Sequence, residues 1–240
     1  MDEEQYEAEY QPIFNVPTSV LVVIGIFVVV HVVRLVLPEH DSEWLTLLLA
    51  FIPTRYTGDA LLLPGGEWAS VTSFVTHMAV HGDLAHLASN SLWMLAFGSL
   101  LARRFGGFAF INFSIITGVV GALFYLGAKY GMSIPVIGAS GAVSGQMAGA
   151  LRLLFGAIHS GRLADIRNAP ESIPVISLWD MIGDPRIVVI IGMWIVFNYV
   201  FAVSETGLAG GAAIAWEAHL GGFLAGLLLV GLFDRNKNKA

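Results

Sequence analysis

The sequence predicts an all-α fold, a polytopic membrane protein built as a bundle of six transmembrane helices. Three observations predict it. Hydrophobic residues fill 56% of the 240 positions and charged ones only 12%, about half the ~25% charged fraction of a soluble domain. Several apolar windows reach the roughly 20 residues that a helix needs to cross hydrocarbon. Those runs lack the period-two alternation of barrel strands, and in lipid only helices and closed barrels satisfy their backbone groups.

The first span covers residues 17–37, bracketed by Pro17 and Pro38. The second runs from about Leu84 to Leu101, the third from Phe108 to Leu126, and a glycine-rich fourth from Val136 to Phe155. Ile187–Val203 gives the fifth and Gly210–Leu232 the sixth. Trp44–Ile52 is apolar but too short to span, and reads as an interfacial or re-entrant piece of a long loop, 38–83. The chain is thus a tail (1–16), a membrane domain (17–233) and a short second tail (234–240).

The leading segment carries Asp2, Glu3, Glu4, Glu7 and Glu9 without Lys or Arg. That is opposite to a signal-peptide n-region, so span one is expected to stay. Cysteine is absent, which excludes disulfides, thiolate nucleophiles and cysteine-ligated metals. No basic tract points to nucleic acid. Nine basic residues fall on or near one side of six alternating spans: Arg103, Arg104, Arg152, Arg162, Arg167, Arg186, Arg235, Lys237 and Lys239. Three, Arg34, Arg55 and Lys129, fall on or near the other. The positive-inside rule then puts both termini in the cytoplasm.

Polar groups inside spans are costly, so each is a candidate functional residue. Ser140 lies in Gly138-Ala139-Ser140-Gly141 at the start of span four. Small neighbours leave its hydroxyl approachable, and unpaired first-turn N–H groups favour an oxyanion beside it. His219 shares a helix stripe with Gly222 and Gly226, while span four offers Gly141, Gly145 and Gly149. Two glycine stripes let backbones approach closely, which would bring Ser140 and His219 together. His86 and Asn90, an i, i+4 pair in span two, suit oxyanion stabilisation. Singly, each has a plainer reading: a serine at a helix start, a packing histidine, interhelical hydrogen bonds. Together they supply nucleophile, base and oxyanion donors on one membrane side.

No third member is evident. Glu217 is about 200° round the helix from His219 and reads as a packing or interfacial residue. His31, Arg34, Asn112 and Asn198 are scattered polar residues, and the charged Arg34, Arg152 and Glu217 have no obvious partners. A Ser-His dyad is the economical expectation.

These motifs resemble those of the rhomboid family, in its bacterial six-helix form. Gly138-Ala139-Ser140-Gly141 resembles the family's nucleophile motif, Ala218-His219 with Gly222 and Gly226 its base-bearing helix, and His86-Leu87-Ala88-Ser89-Asn90 its His-x-x-x-Asn element. The resemblance runs from about Trp44 to the end. It implies an intramembrane serine endopeptidase with a water-filled cavity, cleaving transmembrane substrates in or near their membrane segments. It implies Ser140 as nucleophile, His219 as base, and His86, Asn90 and the Ser140 N–H around the oxyanion. His81 matches a further family histidine that supports the loop. It also implies a multi-pass protein of a bacterial inner membrane, in the lipid bilayer, with no cofactor and no metal. Two positions depart: Ser144 stands where many members have an aromatic that stacks on the base, and Trp68 is followed by Ala69 rather than Arg.

The main rival reading is a catalytically silent rhomboid-like protein that binds membrane clients. A transporter would pair charges along a path. A metalloprotease would need His-Glu-x-x-His, which is absent; His77 and His81, four apart, suit a loop-stabilising role better than a metal. An aspartyl protease would need two aspartates within spans, and there are none.

Overall fold

The computed structural model describes residues 16–203 and 215–234. The two tails, except Val16 and Asp234, lie outside the described residues, as do Arg235, Lys237, Lys239 and the start of the sixth apolar run. Among the described residues, six helices are long and apolar enough to cross a membrane.

Helix α1 (Thr18–Val36) begins after Pro17 and ends ahead of Pro38, where a proline starts α2 (Glu39–Leu49). Loop 38–83 is therefore not one irregular excursion. It contains α2, α3 (Gly66–Thr76) and short 3₁₀ turns. Its apolar stretch ends as extended backbone, with Phe51 and Val136 exchanging two hydrogen bonds of 3.0 and 2.8 Å. Arg55 is buried here and donates to the Leu47 carbonyl at 2.7 Å.

Helix α4 (Leu84–Phe105) is capped by the Asp83 carboxylate, which accepts the His86 N–H at 2.7 Å. A π turn interrupts it at Met94–Gly98. It breaks at Gly106, whose φ of 83° admits the sharp reversal into α5 (Gly107–Ala128).

Helix α6 (Ser140–His159) is the most buried span, with 78% of its apolar window covered. The short α7 (Leu178–Gly183) leads into α8 (Pro185–Val203), and α9 (Trp216–Phe233) completes the bundle. Helices α5, α6 and α9 form the centre, where glycines meet backbone. A Cβ at Gly222 would collide with the Gly141 carbonyl, and one at Gly226 with that of Gly145. At Gly121 it would come within 2.6 Å of the Ala218 carbonyl oxygen. Such contacts are how helices pack tightly in lipid, where burying apolar surface gives no driving force. Helices α1 and α8 lie outside with only 17% and 6% of their windows covered, presenting valines, isoleucines and leucines outward as a lipid-facing surface.

Charges that looked unpartnered in the sequence are paired. Arg34 donates to Thr46 Oγ1 at 2.8 Å and to the His81 carbonyl, tying α1 to α2 and to the approach of α4. Arg152 donates to the Ile176 carbonyl at 2.9 and 2.6 Å and to the Leu227 carbonyl at 2.7 Å. Glu217 pairs with Lys129 at 3.1 Å. The sequence reading missed the first two because their acceptors are backbone carbonyls and, for Arg34, a neutral threonine hydroxyl, which composition does not mark. At the same end as Arg152, Arg104 grips Asp234 through two bonds of 3.0 and 2.8 Å and also reaches the Pro170 carbonyl. Asp184, just before α8, is held below the usual carboxylate range by hydrogen bonds from Arg186 and then His159.

Candidate active site

Ser140 is the first residue of α6, and the geometry around it is set by the turn before it. Gly138 has φ 103°, a left-handed conformation that favours glycine, and its N–H donates to the His77 carbonyl at 2.9 Å. A Cβ there would lie 2.5 Å from His86 Nε2, so the imidazole sits hard against this turn. The first intrahelical bond runs from Val143 N–H to the Ala139 carbonyl at 2.9 Å. The N–H groups of Ser140, Gly141 and Ala142 precede it, and so have no acceptor within the helix.

His219 lies in the first turn of α9, brought across by the glycine contacts with α6. Its Nε2 is 2.7 Å from Ser140 Oγ. Its Nδ1 is 2.7 Å from Oδ1 of Asn198 on α8. Asn198 in turn donates from Nδ2 to the Trp194 carbonyl at 2.9 Å. One turn further along both helices, Trp194 and Phe223 stack with ring centroids 4.4 Å apart. Asn198 was read from the sequence as a scattered polar residue, so the expectation that no third group meets the histidine needs correcting. The available signal was a lone amide in an otherwise apolar run, which is costly unless used. Its partner depends on how two separate helices align.

The other singled-out residues are placed as follows. His86 Nε2 abuts Gly138, two residues from Ser140. Asn90 is buried and donates one amide hydrogen to the His86 carbonyl at 3.0 Å, which leaves its second N–H for another acceptor. His81 is fully buried between Phe27 and His86, with ring centroids 4.9 and 5.1 Å away. Burial pushes its imidazole down to about 3, so it is neutral at ordinary pH. His77 donates from Nδ1 to the Ser73 carbonyl at 2.8 Å and is pushed down by burial to about 4. Among the described residues no group of three or more His, Cys, Asp or Glu is arranged to hold a metal. Ser144 is buried within α6, and Trp194 and Phe223 stack on each other one turn from His219.

The family model of the Rhomboid domain matches residues 68–236, well over half of the chain. The chain belongs to the rhomboid family. It is a multi-pass integral membrane protein with a rhomboid-like helical bundle, and six candidate spanning helices are found among the described residues. No curated protein matches the sequence. Most rhomboid proteins are intramembrane serine proteases, and some are inactive.

Proposed function

We propose that this rhomboid protein is an intramembrane serine endopeptidase, with Ser140 as nucleophile and His219 as general base. The observation that carries the reading is the 2.7 Å approach of His219 Nε2 to Ser140 Oγ between two spanning helices. Hydrogen-bonded contact between a hydroxyl and a base is what activates a serine that is otherwise a weak nucleophile.

Ser140 Oγ attacks the carbonyl carbon of the scissile peptide while His219 Nε2 takes its proton. The carbonyl oxygen becomes an oxyanion beside the unpaired first-turn N–H groups of α6, with His86 and Asn90 as side-chain donors. His219 then protonates the leaving amide nitrogen, and the acyl-enzyme remains on Ser140. Water repeats the sequence, deprotonated by His219, and frees Ser140. Gly138 and Gly141 keep the nucleophile's turn tight, while Gly222 and Gly226 keep α9 close enough for the histidine to reach.

The substrates are transmembrane proteins, presented from the bilayer. The basic-residue asymmetry supports cytoplasmic termini with the Ser140 end outside, and the membrane proposed is a bacterial inner one.

The test is cleavage of a single-span substrate in liposomes, with labelling by a serine-directed fluorophosphonate. Ser140→Ala and His219→Ala each abolish both. Cleavage retained by Ser140→Ala overturns the mechanism. A wild-type protein that neither cleaves nor labels belongs instead among the silent, client-binding members of the family.

A further inference from the structure

The structure assigns Asn198 as the positioning residue that fixes the tautomer and the orientation of His219. The assignment deepens the protease reading and rests on it for its catalytic consequence. It does not rest on it for its geometry.

The direction of every hydrogen bond in this relay follows from the backbone carbonyl at its end. The carbonyl of Trp194 can only accept. Asn198 must therefore turn its NH₂ toward that carbonyl, which it meets at 2.9 Å. This settles the amide's orientation and puts Oδ1, an acceptor only, at 2.7 Å from His219 Nδ1. Nδ1 must carry the proton. In a neutral imidazole the lone pair then belongs to Nε2, which faces Ser140 Oγ at 2.7 Å. The serine hydroxyl donates into it. One backbone carbonyl thus dictates, through an amide and an imidazole, that the base points its free lone pair at the serine.

The rings beside this relay hold it in place. Trp194 and Phe223 are four residues from Asn198 and His219 on the same two helices, and their rings stack 4.4 Å apart at 23°. The α8–α9 pair is thereby held at two successive turns, one apolar and one polar. His81, by contrast, has no hydrogen-bond partner at either ring nitrogen among the described residues. Asn198 is neutral, so it selects the tautomer and aims the ring without supplying a negative charge to the imidazolium. Its effect is therefore smaller than that of a carboxylate in the same place.

Asn198→Leu removes the acceptor with little change in volume, and Asn198→Asp restores an oxygen at the same reach. Two measurements are made on the full-length protein in detergent micelles. In ¹⁵N-histidine spectra, with the His219 resonances identified by their loss in His219→Gln, the wild type shows the Nδ1–H tautomer and Asn198→Leu shows a mixture. In substrate cleavage, Asn198→Leu lowers kcat by roughly 10²-fold with KM nearly unchanged, below the ~10⁴ seen when a triad carboxylate is lost. Asn198→Asp recovers most of that rate, which separates loss of the bond from loss of folding. A Leu variant with an unaltered His219 tautomer and kcat within about twofold of wild type overturns the assignment. A wild-type protein without cleavage or labelling removes the protease reading, and the tautomer measurement alone then decides Asn198.

Discussion

Gly222 lies directly against the carbonyl of Gly141, so the helix bearing His219 and the helix opened by Ser140 touch backbone to backbone. The hydrogen bond between the two candidate catalytic side chains is a consequence of that contact. It also makes the glycine a sensitive position. Gly222→Val places its branched side chain where the Gly141 backbone already is, and the helices must separate. A destabilisation of about 1–3 kcal/mol is expected from overpacking, and fluorophosphonate labelling of Ser140 is lost with it. Gly192→Val, where a Cβ meets nothing within 4 Å, is the control that should leave both unchanged.

His86 presses on the turn that presents Ser140, and the proposed mechanism makes it a donor to the oxyanion. His86→Ala is expected to lower kcat by roughly 10²–10³-fold if one donor is removed. Single-turnover cleavage measures it, and fluorophosphonate labelling persists at a reduced rate because nucleophile and base remain.

The Arg104–Asp234 pair closes the opposite end of the bundle with both side chains largely buried. Asp234→Ala leaves the guanidinium with the Pro170 carbonyl as its remaining acceptor among the described bonds. Breaking a buried pair from one side costs about 3 kcal/mol or more. Thermal unfolding in detergent should show the loss, and Asp234→Glu should recover part of it.

Stability should fall on mild acidification, through His77. Unfolded, it titrates near its ordinary 6.5, and folded near 4 because burial disfavours the charged ring. Above pH 6.5 both states are neutral, and the residue gives no pH dependence. Between 6.5 and 4 the unfolded chain binds a proton that the folded one refuses, so stability drops as pH falls, then levels off below about 4. A shift of this size corresponds to about 3 kcal/mol. His77→Asn keeps a donor for the Ser73 carbonyl without titrating, and should flatten the slope of unfolding free energy between pH 6.5 and 4.

The sequence by itself determined the spans and singled out the candidate site residues. Apolar runs of sufficient length located the spanning helices, the fourth of them four residues early at each end, because the bilayer imposes a minimum length that composition can meet or miss. Ser140, His86, Asn90 and His219 were legible because each sits in a short motif with small or polar neighbours at helical spacing. Such spacing fixes which residues share a face of one helix. Tertiary structure alone decided the partners. Asn198 looked like an isolated amide until α8 and α9 were aligned, when it met His219 Nδ1 at 2.7 Å. Arg34 and Arg152 looked unpaired until the carbonyls of His81, Ile176 and Leu227 came within reach. Periodicity encodes contacts within a helix, whereas contacts between helices depend on their relative depth and rotation. Those are set by the sum of the glycine approaches, and no single segment of the sequence contains them.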